Sequence, residues 1–261
     1  MTTTSSPVFR LLERELHILR RLWHGIVFSA FVQPVLYLVA MGVGIGTYVD
    51  QNSTAALGGL TYVQFVAPGL LAATAFQLGV GDSLWPVMSG TKWDMRYHAM
   101  VASPIGPGQV LAAHLGWQAV RTTIATVAFL LVATPLGAIE SPWAVLALPA
   151  AILLVVATAS LVAAFSTSVE DASSFPLVMR IGVLPLFLFS GTFFPISQLP
   201  AFLQVLARLS PLYHGVELCR AATSGHASSF GAVVVHVLAL LAFTAVGTIL
   251  GMRSFAKRLT P

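Results

Sequence analysis

Charge is scarce in this chain: of 261 residues, 8% are Asp, Glu, Lys or Arg, and 57% are hydrophobic. A soluble domain carries about 25% charged residues, so too few charges are present to cover a surface in water. A chain solvated along its whole length by water is thereby excluded, and lipid is the solvent that suits the rest. There is one cysteine, Cys219, which excludes an internal disulfide. No Cys/His cluster has metal-ligand spacing, so no metal is expected. A Gly-x-x-x-x-Gly-Lys-Ser/Thr phosphate loop, a His-Glu-x-x-His zinc motif and a Gly-x-Ser-x-Gly nucleophile turn are all missing from the sequence. This predicts no nucleotide hydrolysis and no cofactor bound by the chain itself.

What is present is length of apolar sequence. Crossing a bilayer takes about 20 mostly apolar residues. Six stretches meet this, near residues 25–48, 62–87, 109–133, 143–165, 175–194 and 231–252. Backbone groups in lipid must bond within their own segment, so all six are predicted to be helices in an all-α integral membrane protein. Pro34, Pro149 and Pro185 are expected to kink them locally. The first apolar run follows a charged stretch and is long enough to span, which predicts a retained helix and not a cleaved leader.

The net charge of +4 comes from positives beside the apolar runs, a pattern that speaks for membrane orientation and against nucleic-acid binding. Arg10, Arg14, Arg20, Arg21, Lys92, Arg96, Arg253, Lys257 and Arg258 fall on one side, with Arg208 and Arg220 on the other. Both termini are therefore expected in the cytoplasm. Within residues 1–24, Val8, Leu11, Leu12, Leu16, Leu19, Leu22 and Trp23 recur at helical spacing opposite Arg10, Glu13, Arg14, His17, Arg21 and His24. That predicts a separate amphipathic helix over 7–24, with Ser5 or Ser6 as its cap, lying on the inner membrane surface or against a partner. Residues 25–252 form one transmembrane domain and 253–261 a cytoplasmic tail. Within that domain, 195–222 is too polar to span and is broken by Pro195, Pro200 and Pro211. A short helix over 201–209 is expected there, dipping into the outer surface as a re-entrant element.

Several residues carry candidate chemistry. Gly79-Val80-Gly81-Asp82 resembles the Gly-x-Gly-Asp signature of intramembrane aspartyl proteases, but that reaction needs two carboxylates and no other span holds one. Asp82 is better placed as the partner of Arg121. Arg121 lies about 18 Å into its span at about 1.5 Å per residue, a position that is costly unless the charge pairs, snorkels or meets water. His114, Gln118, Arg121 and Thr122 share a helical face that should point into the bundle. Arg180 is expected to reach Glu170 or Asp171. Gly42 and Gly46 make a small-xxx-small face suited to helix contact, notably between two copies of the chain. Phe187, Phe189, Phe193 and Phe194 read either as an interfacial aromatic belt or as an outer gate and platform for an amphipathic substrate.

With these pieces together, the chain resembles the permease subunit of a type-2 ABC exporter, nearest the branch of lipo-oligosaccharide, drug and O-antigen exporters. The resemblance rests on FLFSGTFFPISQLPAFLQVLARLSPLYHGVELCR at 187–220, on YHAMVASPIGPG at 97–108 and on Ser174-Phe175-Pro176. It implies two permease chains, identical or paralogous, paired through the first and fifth spans. It also implies two separate ATPase subunits, which hold ATP and Mg, docked on the cytoplasmic face. A coupling helix is implied over 92–100, with Trp93, Met95, Tyr97 and Met100 as a hydrophobic knob and Lys92, Asp94 and Arg96 around it. Two other classes stay open from the residues alone. One is a membrane-embedded enzyme using Asp82 with His114 or His236. The other is a proton-coupled secondary transporter.

Overall fold

A computed structural model describes residues 7–52, 57, 59–225 and 229–260. It is helical throughout, with no strand among the described residues. In chain order the α-helices are α1 (Pro7–Val39), α2 (Thr47–Asn52), α3 (Tyr62–Met88), α4 (Arg96–Val101), α5 (Pro107–Ala133) and α6 (Ala147–Ser168). They continue with α7 (Phe175–Leu177), α8 (Leu184–Phe189), α9 (Ala201–Arg208), α10 (Pro211–Ser224) and α11 (Phe230–Leu259). Wider π-turns follow α1 at Ala40–Gly46 and α3 at Ser89–Trp93, and join α7 to α8 at Val178–Val183.

Five described helical stretches are long and apolar enough to cross a membrane: Tyr62–Trp93, Pro107–Ala133, Pro142–Ser168, Ala172–Phe189 and Phe230–Leu259. A shorter apolar stretch, Val35–Gln51, lies in the N-terminal helical run. Residues 7–24 are not a separate element, because α1 continues without a break to Val39. Between Pro7 and Pro34 the only poor helix former is Gly25, and one glycine costs about 1 kcal/mol, too little to end a helix. Helix α1 packs on α5 of the same chain, with Leu12 against Gly116. The proposed Ser5 or Ser6 cap lies outside the described residues.

The prolines act differently from one another. Pro149 sits in the first turn of α6, where no helical hydrogen bond is lost. Pro185 opens α8 directly after the π-turn that absorbs its missing N–H. Pro34 lies within the continuous α1. The prolines inside a buried helix are Pro68 and Pro86 of α3.

Helix α3 is buried nearly all round, as the central helix of a bundle must be. It packs on α5, α6 and α10, and α11 lies along α6. Gly247 and Gly251, four residues apart on α11, face α6 and α5 at distances that leave no room for a side chain: a Cβ on Gly247 would sit 2.8 Å from the Leu161 nitrogen. Several hydroxyls inside the spans bond back to the carbonyl four residues earlier, as Thr74 does to Leu70 at 2.8 Å and Thr158 to Leu154 at 2.9 Å. That satisfies them without water.

The segment after α8 decides the shape of one end of the bundle. The chain turns at Ser190-Gly191, with Gly191 at φ +83°, then runs through α9 and back along α10. The short helix expected over 201–209 is α9. Helix α10 buries Leu212, Val216 and Cys219 completely against α3 and α6. Gly69 of α3 meets the backbone of this turn so closely that a Cβ would stand 2.6 Å from the Thr192 carbonyl oxygen. Backbone cannot swing aside as a side-chain tip can. Gly69→Ala is therefore expected to cost about 2–3 kcal/mol of stability, read as a lowered thermal midpoint in detergent. An unchanged midpoint would show that the turn yields freely.

Candidate functional site

Asp82 on α3 and Arg121 on α5 form an ion pair through one Asp82 carboxylate oxygen and an Arg121 Nη. One residue along α3, the Ser83 hydroxyl and His114 Nε2 are 2.9 Å apart. Gln118 and Thr122 complete the polar face of α5, fully buried as its spacing predicts. The Gln118 amide and the Thr122 hydroxyl find no hydrogen-bond partner within the protein. Asp82, His114, Gln118 and Arg121 line a cavity of about 180 Å³ between α1, α3, α4 and α5. The Asp82 carboxylate thus meets a guanidinium and not a second carboxylate. His236, the other candidate acid–base group, lies elsewhere and bonds His214 of α10 at 2.8 Å.

The loop after α3 is split by burial. Trp93 is 58% exposed, with Asp94 and Met95 exposed beside it. Met95 takes a left-handed backbone, φ +52°, which costs a non-glycine residue about 1–2 kcal/mol and turns the chain sharply into α4. Tyr97, by contrast, is 5% exposed and stacks on Phe255 at 5.9 Å. It sits in a second apolar cluster with Val87, Leu111 and Ala163, and burial there pushes its hydroxyl pKa up. Tyr97 is an anchor, not part of a surface knob. Lys92 is also turned inward, donating to the Val169 carbonyl and lying 3.6 Å from Glu170. Asp94 accepts from the Ser89 hydroxyl, and Arg96 lines the cavity.

Glu170 belongs to Arg258, at 3.1 Å, and to Lys92. The Arg258 hydrogen bond is the main reason its carboxyl titrates below the usual range. Asp171 is lowered by hydrogen bonds from Ser173. Arg180 reaches neither acid among the described ion pairs, because the π-turn leaves it on the exposed face. Gly42 and Gly46 point inward too: a Cβ on Gly42 would meet Val63 Cγ2 at 2.7 Å, so this small-residue face packs on α3 of the same chain. The phenylalanines pair across the Gly191 turn, Phe187 with Phe193 at 5.2 Å and Phe189 with Phe194 at 6.5 Å.

Sequence reasoning passed over Arg220 as a mere outside charge. Its side chain is mostly buried, donating from Nη1 to Glu217 at 2.7 Å and from Nη2 to the Gly191 carbonyl at 2.7 Å. The guanidinium carbon lies 4.1 Å from the Phe65 ring centroid. The available signal was Glu217 three residues before it on a helix with a strongly apolar opposite face.

The bundle thus carries a charged pair within its spans, an exposed apolar turn after α3 and a folded-back segment after α8. Residues 7–224 match the family described as ABC-2 type transporter. The chain belongs to that family and is the membrane subunit, or permease, of a transporter. Among its relatives is nodulation protein J of Sinorhizobium fredii, 27% identical over 89% of this chain and 86% of that protein. Nodulation protein J of Rhizobium meliloti is 25% identical over 90% of this chain and 87% of its own length. The inner membrane transport permease YadH of Escherichia coli is 24% identical over 87% and 88%.

Proposed function

We propose that this chain is the permease of an ATP-driven exporter in the inner membrane, moving an amphipathic lipid, glycolipid or drug-like molecule outward. In this reading it crosses the bilayer six times, with the run containing Val35–Gln51 as the first crossing and both ends in the cytoplasm. Residues 195–224 are the re-entrant outer element. Two copies, or this chain and a paralogue, enclose the path, and two separate ATPase subunits supply the energy and hold ATP and Mg. The paired rings of Phe187, Phe189, Phe193 and Phe194 form an apolar outer gate. The Asp82–Arg121 pair holds α3 to α5 beside the path.

The observation that carries this reading is the exposed turn Trp93-Asp94-Met95, set on a rigid base by Tyr97 and Lys92. An apolar residue held out on a fixed support suits a ball that seats in a partner's socket. The inner-membrane permease among the relatives supports the location and the transport role.

The test is a reconstitution with and without a separate ABC ATPase supplied as partner. The purified chain alone is expected to hydrolyse no ATP. With the partner, Trp93→Ala should leave the midpoint of unfolding within about 0.5 kcal/mol, as at most surface sites, yet abolish the coupling of hydrolysis to export. Tyr97→Ala should cost about 3–5 kcal/mol in folding, as loss of a buried aromatic does. Hydrolysis by the isolated chain, or full export by Trp93→Ala, would refute the proposal.

A further inference from the structure

The cavity between α1, α3, α4 and α5 holds more hydrogen-bonding capacity than the chain itself uses. Its wall carries three guanidinium groups, Arg14, Arg96 and Arg121, against two carboxylates, Glu15 and Asp82. Arg14 lies 3.6 Å from Glu15, and Arg121 is paired with Asp82. Arg96 has no ion-pair partner among the described residues. Its guanidinium rests on the Tyr97 ring at 5.4 Å, and its Nε is buried with no acceptor in the protein. Gln118 is 0% exposed and lies beside the Asp82 carboxylate without a well-formed hydrogen bond on either amide atom.

Buried donors left without acceptors are unfavourable, and an unbalanced guanidinium is more so. The group that relieves both must be anionic, rich in acceptor oxygens and small enough for about 180 Å³. A phosphate ester meets all three conditions, and the planar fork of an arginine suits it. The net balance of the wall, one positive charge after the Asp82 carboxylate is counted, attracts such an anion. The cavity reaches from the α4 turn and the ends of α3 and α5, the level of lipid headgroups, inward along α5 to Gln118 and Arg121.

We propose that this cavity is a binding site for the phosphate of a membrane-lipid headgroup, with Arg96 and Gln118 as the groups that hold it. The site goes beyond the coupling role of the neighbouring turn and does not depend on it. It would tie the N-terminal part of α1 and the α4 turn to the composition of the surrounding leaflet.

The test titrates the purified full chain, in a neutral detergent, with a short-chain phosphatidylglycerol and follows the thermal midpoint. The diacylglycerol of the same chains and inorganic phosphate are titrated in parallel. A saturable rise with the phospholipid is expected, with no rise from the diacylglycerol. Inorganic phosphate should need a concentration higher by about tenfold or more, since it lacks the acyl contribution. Arg96→Gln and Gln118→Leu should each weaken phospholipid binding by about tenfold. Gln118→Leu keeps the volume and removes an unmatched polar group, so it should fold at least as well as the parent and carries the test if Arg96→Gln does not fold. Arg253→Gln, an equal loss of charge at the exposed end of α11, should change binding by less than about twofold. Binding unchanged in Gln118→Leu overturns the proposal, as does an equal loss in Arg253→Gln. Free phosphate matching the lipid overturns the headgroup assignment, and no saturable binding means a solvent-filled cavity.

Discussion

Asp82→Asn is expected to lower stability by about 2–3 kcal/mol, and the double change Asp82→Asn with Arg121→Gln to recover most of that loss. Removing one partner of a buried ion pair costs about 3–5 kcal/mol, chiefly because the other charge is left uncompensated. The lower figure applies because the two side chains remain 24% and 28% exposed. The two single changes should not be equal. Arginine cannot shed its proton, so Asp82→Asn leaves a permanent charge within the span. A carboxyl group can accept a proton and become neutral, so Arg121→Gln should be the milder change. A double-mutant cycle on thermal midpoints in detergent gives the coupling directly. Additive single effects would mean that the pair contributes nothing, and an Arg121→Gln change worse than Asp82→Asn would reverse the assignment of which charge is stranded.

The second large effect is expected at Arg220. This side chain joins three pieces at once: Glu217 on its own helix, the Gly191 turn that ends α8, and the Phe65 ring of α3. Arg220→Met keeps length and apolar contact but strips every donor. It leaves Glu217 without its cation and the Gly191 carbonyl without that hydrogen bond. The expected loss is about 3 kcal/mol, concentrated in 190–224 and not spread through the spans. The protein supplies its own probe, because its single cysteine, Cys219, is fully buried in α10. A loss of about 3 kcal/mol in local opening should speed maleimide labelling of Cys219 by about two orders of magnitude. Removing a neighbouring cation by itself slows a thiol's reaction, so a faster reaction reports opening and not electrostatics. Arg220→Lys should restore little, since an ammonium lacks the fork that reaches Glu217 and Gly191 together. Labelling no faster in Arg220→Met than in the parent would remove Arg220 from this role.

Much of the site was legible because lipid narrows the choices. A polar residue inside a span must face protein, so His114, Gln118, Arg121 and Thr122 had to share the inner side of α5, and Asp82 was the acid available to the guanidinium. What misled was local pattern read without its neighbours. Trp93, Met95 and Tyr97 look alike as apolar residues in a charged loop, yet Met95's left-handed turn throws Trp93 outward and drives Tyr97 against Phe255. Gly42/Gly46 and Gly247/Gly251 carry the same spacing, and both serve contacts inside one chain. The charge count used Arg220 only to set orientation and gave no sign that packing of α10 on α3 and α6 buries it.

Hydrophobic length and the scarcity of charge alone determine that this protein lives in lipid as helices, because an unbonded peptide group there is too costly for anything else. Which charges meet and which aromatic stands out were decided only by tertiary packing. So was the course of the polar stretch after the fifth apolar run, which returns into the bundle. Those outcomes depend on contacts between segments far apart in the chain, such as Gly69 with Thr192 or Arg220 with Gly191, and no local periodicity encodes them.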